Sequence, residues 1–182
     1  MMFVGIMQLY DYIFWKNTPP SIVNKIVTKL AIITNHIHPF ILALLIWIYK
    51  RKIGYYSKIG LLIYALITIP YTIYCILNVN YTGQSPIGYG LKWDWNYLHG
   101  MQYLYISYVL IVLLLIIENF NGYLRYIMVI LFLASFIFSM WKYHIYKVGG
   151  RFWCNYSGFI PIVLLLCHLV YLGIGKYSKK RI

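Results

Sequence analysis

Few residues in this chain could do chemistry, and the histidines stand out among them. His36 and His38 sit in the string Asn35-His36-Ile37-His38-Pro39, His99 follows Trp93-Asp94-Trp95, His144 follows Lys142 by two positions, and His168 adjoins Cys167. Imidazole nitrogens suit zinc, copper and iron, so convergence of His36, His38, His99 and His144 with Asp94 would make a metal or haem site. The spacing follows no recognised ligand pattern: HExxH, CxxCH and paired CxxC motifs are all missing. Positions two apart on a regular helix diverge by about 200°, so His36 and His38 share an ion only if the helix is broken. His168 lies mid-way along an apolar run. An ionisable group at that depth is a candidate proton relay or haem ligand, with a neutral histidine bonded to a facing helix as the plainer reading.

Pro39 adds a local constraint. Proline inside a helix removes one hydrogen bond and pushes away the carbonyl four residues earlier, here that of Asn35. Asn35 with the two histidines reads either as a polar pocket or as a kink whose polar groups bond neighbouring helices or headgroups. Asp94 has Lys92 and Arg151 as its expected ion-pair partners. Only Asp11 offers it a second carboxylate on the same side of the membrane, so acid/base catalysis lacks a convincing pair. No Ser-His-Asp or Cys-His nucleophile arrangement is credible either, and an enzymatic role is not expected. Ser135 and Ser139, one turn apart beside Ala134, suit close helix packing; Thr68, Pro70 and Thr72 could add a polar strip along a narrow pore. The 3 cysteines make no disulfide framework, although Cys75 could reach Cys154.

The elements that must position these groups follow from composition. Of the 182 residues, 62% are hydrophobic and 10% charged, and the mean hydropathy is +0.70. A soluble domain carries about 25% charged residues, so the chain reads as an all-α polytopic transmembrane helix bundle forming one integral membrane domain. Apolar runs predict five spans, at about 26–49, 59–79, 98–117, 126–146 and 158–175. Each suffices for a hydrocarbon core of about 30 Å at about 1.5 Å per residue. Strands of a barrel would alternate polar and apolar residues, and these runs do not. Residues 1–20 predict an interfacial or packed helix, interrupted by Gln8 and Asp11 and closed by Pro19-Pro20; six spans result if it inserts. Ser21 is placed to cap the next helix. Trp47, Trp93, Trp95, Trp141 and Trp153 lie near span ends and read as headgroup-level anchors.

A formal net charge of +13 would suggest nucleic acid in a soluble protein. Here no stretch interleaves basic and aromatic residues on a polar background, so nucleic acid is not an expected partner. The charges instead meet anionic headgroups and set orientation. Let side A hold residues 16–30, 80–97 and 147–157, and side B the loops 50–58 and 118–125 and the tail 176–182. Side B carries nine basic residues (Lys50, Arg51, Lys52, Lys58, Arg125, Lys176, Lys179, Lys180 and Arg181) against seven on side A. The densest clusters lie on side B, which is therefore expected to be cytoplasmic together with the C-terminus. Candidate glycosylation acceptors Asn80 and Asn155 both fall on side A, in Asn80-Tyr81-Thr82 and Asn155-Tyr156-Ser157.

The strings Asn35-His36 with Pro39, Trp93-Asp94-Trp95 and Gly150-Arg151-Phe152-Trp153-Cys154, in a Lys- and Tyr-rich chain, resemble small multi-pass membrane proteins of giant DNA viruses. The resemblance implies a viral or host membrane and transfers no activity or cofactor. The expected role is a non-enzymatic structural or interaction component, with membrane-protein partners or a second copy of the chain. The rivals are a small channel or transporter, and a haem- or metal-binding redox protein using His36, His99, His144 or His168.

Overall fold

Proline, glycine and charge divide the chain where the apolar runs stop. The computed structural model describes residues 2–84 and 91–143. Within them, helices α1 (Met2–Lys16), α2 (Ile22–Lys50), α3 (Tyr55–Asn78), α4 (Met101–Asn119) and α5 (Gly122–Tyr143) follow one another. Between α3 and α4 lie two short antiparallel strands, β1 (Gly83–Gln84) and β2 (Leu91–Lys92), and a 3₁₀ turn over Asp94–Tyr97. Pro19 and Pro20 separate α1 from α2. Arg51 ends α2 in the left-handed region (φ 60), its N–H returning to the Trp47 carbonyl at 2.7 Å. Gly100 (φ 89) turns the chain into α4, and Gly122 (φ 62) turns it directly into α5.

Four helices, α2 to α5, are long and apolar enough to cross a membrane. Their outer faces carry exposed side chains such as Leu44, Leu45, Leu62, Leu66, Leu110, Ile130 and Ile137. That arrangement fits an integral membrane protein, because water would penalise each such face. The expected fifth segment, 158–175, lies outside the described residues, as do His144, Arg151, Cys154, Asn155, Cys167 and His168. Helix α1 has 15 residues, about 22 Å of rise, short of a full crossing. It packs against α2 and β2, burying Met7 and Phe14 and joining Tyr10 to Thr34 through their hydroxyls at 3.1 Å.

Some boundaries differ from the sequence reading. Helix α2 starts at Ile22, and Ser21 has the extended backbone of a cap but makes no side-chain cap bond; its carbonyl accepts the Lys25 N–H at 3.0 Å. Helix α4 starts at Met101 instead of residue 98, because the 3₁₀ turn and Gly100 occupy the intervening positions.

The central unit is α2, α3 and α4, with α3 and α4 in the most extensive contact. Gly60 makes that approach possible, since a Cβ there would lie 2.9 Å from Ile111 and Leu114 side-chain atoms. Both ends of α3 are capped by other elements. At its start, the Glu118 carboxylate accepts N–H groups of Tyr56 (3.1 Å) and Ser57 (2.6 Å), while Asn119 Oδ1 accepts that of Gly54 (2.9 Å). Asn119 Nδ2 donates to Ser57 Oγ at 3.1 Å, and the Lys50 ammonium donates to the Asn119 carbonyl. At the far end, Lys29 donates to the carbonyls of Ile76 and Val79. Anion at the N-terminus and cation at the C-terminus both complement the helix dipole.

Gly54 is required by this cap, because a Cβ there would lie 1.9 Å from Glu118 Cδ. Glu118→Ala is expected to destabilise the chain by about 1 kcal/mol, the usual cost of a lost N-cap. Gly54→Ala should cost distinctly less in the Glu118→Ala background than alone, since the clash partner is shortened. Unfolding titrations of the four-member cycle in detergent check this; additive costs would show that Gly54 and Glu118 act independently.

Candidate functional site

The polar groups on side A gather around one turn of α2. His36 is 1% exposed, and its Nδ1 lies 2.8 Å from Thr72 Oγ1 on α3. The Thr72 hydroxyl donates its single proton to the Thr68 carbonyl at 2.7 Å. It must therefore accept from His36, which places the imidazole proton on Nδ1 and leaves Nε2 as a bare acceptor. His38 turns elsewhere: its Nδ1 meets the Tyr108 hydroxyl on α4, and the two rings stack at 5.9 Å. The two histidines thus join α2 to different helices, as a divergence of about 200° requires.

Proline is accommodated in the same turn. Pro39 is buried inside an uninterrupted α2, and the Tyr64 hydroxyl donates to the His36 carbonyl at 2.9 Å. The cross-helix donor thus reaches the carbonyl next to that of Asn35. Tyr64 also packs against Phe40 at 5.5 Å and Tyr108 at 6.4 Å between ring centroids.

A lid formed by residues 91–98 covers this cluster. Trp93 and Trp95 stack at 5.3 Å and are only 2% and 0% exposed. The headgroup-anchor expectation is corrected for these two: their rings fill the inside of the lid. Trp47 and Trp141, at 48% and 79%, are exposed as anchors would be. The Trp93 indole donates to Asp11 of α1 at 3.2 Å, and the Tyr71 hydroxyl reaches the carbonyls of Trp95 and Leu98, each at 3.4 Å. The strand region is held by Asn24, whose amide nitrogen donates to the carbonyls of Asn17 (2.8 Å) and Thr82 (3.0 Å) and whose oxygen accepts the Thr82 N–H (2.9 Å). Thr28 and Thr82 join through their hydroxyls at 3.0 Å.

Of the residues singled out from sequence, Asn35 and His36 line one cavity, and His38 lies beside them on Tyr108. Asp94 pairs with Lys92 at 2.5 Å, partly exposed, and His99 is exposed in the turn before α4. Asn80 is exposed, whereas Thr82 of the same sequon is buried with its hydroxyl engaged. Cys75 is a buried free thiol. Among the described residues no three His, Cys, Asp or Glu side chains are grouped to hold a metal ion.

Sequence reasoning missed Asn96, Tyr64 and Tyr108 in the cluster and the Asp11–Trp93 bond beneath the lid. A lone carboxylate in an otherwise apolar first helix was the available signal for Asp11. The cavity lined by Asn35, His36, Tyr64, Trp93, Asn96 and Tyr108 measures about 10 Å³, the scale of one water molecule. A second cavity of about 640 Å³ lies between α4 and α5, bordered by Val109, Leu110, Phe136 and Met140 and sharing Asn96, Met101 and Tyr105 with the first.

The chain matches no family model, no curated protein and no solved structure.

Thr72→Val leaves the His36 Nδ1 proton without its acceptor and is expected to destabilise the bundle by about 1–3 kcal/mol. Thr72→Ser keeps the hydroxyl and should stay near the parent. Equal unfolding midpoints for the valine and serine variants in detergent would refute the bond.

Proposed function

We propose that the chain is a non-enzymatic, multi-pass component of a membrane that works through interactions instead of catalysis. The observation that carries this reading is how its polar and apolar groups are divided. His36, His38, Thr72 and Asn119 bond across helices and Asn24 ties α2 to Thr82, while exposed leucines and isoleucines occupy the outer faces of α2 to α5. The first set holds the bundle together, and the second offers lateral surface to lipid or to a neighbouring membrane protein, a second copy included. Thr72, a candidate for a pore strip, is occupied by His36 and by the Thr68 carbonyl.

A fifth span at 158–175 completes this reading and puts the C-terminal tail on side B. Exposed Arg51, Lys52 and Lys58 support a cytoplasmic side B in contact with anionic headgroups. The resemblance of the chain's short strings to those of giant-virus membrane proteins is the ground for placing it in a viral or host membrane.

Two measurements test the proposal. In a background lacking the native cysteines, Asn80→Cys should react with a membrane-impermeant maleimide in intact cells, and Lys52→Cys only after permeabilisation. The reverse pattern overturns the orientation. The protein purified in mild detergent should be colourless and metal-free; a Soret band or stoichiometric metal overturns the non-enzymatic reading in favour of a redox protein.

A further inference from the structure

We propose that the small cavity beneath the side A lid is a binding site for a single water molecule, which donates one proton to His36 Nε2 and the other to Asn96 Oδ1. Both atoms are buried, and no protein group among the described residues bonds to either. Both residues line the same cavity of about 10 Å³, with Asn35, Tyr64, Trp93 and Tyr108 around them. The tautomer imposed by Thr72 makes Nε2 an acceptor, and a side-chain carbonyl oxygen is an acceptor by nature. Two unpartnered acceptors on residues that line one cavity call for an occupant with two protons to give.

Size and charge select that occupant. A cavity of this volume admits about one water molecule and excludes a porphyrin or any organic ligand. An ammonium ion has similar dimensions, but the lining contains no carboxylate to offset a buried positive charge. Asp11 of α1 already accepts the Trp93 indole, and Asp94 of the lid is paired with Lys92. A bare metal ion lacks a third ligand, since no group of three His, Cys, Asp or Glu occurs among the described residues. Water is neutral, fits, and relieves both acceptors at once. Asn35, on the same wall, carries an amide that can donate to the water oxygen.

The water also joins two segments that are distant in sequence. His36 belongs to α2 and Asn96 to the 3₁₀ turn of the lid. The bridge therefore fixes the lid onto the bundle and holds His36 in its Nδ1–H form.

Nuclear magnetic resonance of the full-length chain, ¹⁵N-labelled at histidine and held in lipid nanodiscs, tests the site. Loss of a signal in His36→Gln assigns the His36 resonances. The expected result is a neutral ring with protonated Nδ1, a hydrogen-bonded but unprotonated Nε2, and a cross-peak between the ring Hε1 and water. Asn96→Leu should abolish that cross-peak, whereas Asn96→Asp should keep it, with the Thr72-bonded Nδ1 signal retained in both as a control for folding. A protonated Nε2, or no water cross-peak in the parent, overturns the proposal. So does a cross-peak that survives Asn96→Leu undiminished, or an Nε2 resonance that moves on adding ammonium or zinc ions. If His36→Gln fails to fold, the Asn96 pair still decides, because the signal that disappears with Asn96→Leu is read in the parent spectrum.

Discussion

Helix α3 cannot close its own ends, and the arrangement of the bundle follows from how others close them. Its first residues offer backbone N–H groups that no side chain of α3 accepts, and its last carbonyls need donors. Unpaired backbone groups are costly wherever burial keeps water from them. Glu118 and Asn119 at the end of α4 supply the acceptors, and Lys29 in the second turn of α2 supplies the donor. With only 3 acidic residues in the whole chain, placing one at this helix terminus marks how much the structure depends on it. The two caps set α3 in register with α4 at one end and with α2 at the other, and Gly60 permits the close approach of α3 to α4.

Once that register is set, the interior of the side A half is determined. Thr72 comes opposite His36, Tyr64 comes beneath the proline-bearing turn, and Tyr108 meets His38. Each contact satisfies a polar group that would otherwise be buried without a partner, where the penalty exceeds the modest gain of an ordinary hydrogen bond. The lid is tied separately to α1 through Asp11 and to α3 through Tyr71, so the short first helix is part of the polar architecture in spite of its apolar composition.

What could be read beforehand was what depends on local pattern. Apolar runs located α2 to α5, and helical geometry required His36 and His38 to diverge. The errors occur where one segment acts on another distant in sequence. Trp93 and Trp95 have the composition of interface anchors, and only the folding of the loop back over His36 turns their rings inward. Glu118 and Asn119 look like an ordinary polar end to an apolar run, yet their partners are about sixty residues away, at Gly54 to Ser57. Thr72 read as one member of a polar strip because its partner lies on another helix. Helix starts shifted for related reasons: the beginning of α4 is set by a 3₁₀ turn pinned under Tyr71, a contact without a local signature.

The cap formed by Glu118 and Asn119 also joins residues that synthesis produces far apart in time. A ribosome releases α3 long before the residues that complete its N-terminus, which are separated from it by 61 positions between Ser57 and Glu118. During that interval the amides of Gly54, Tyr56 and Ser57 lack the acceptors that the finished chain gives them. Those acceptors arrive only when α4 lies antiparallel to α3, with its last turn beside the first turn of α3.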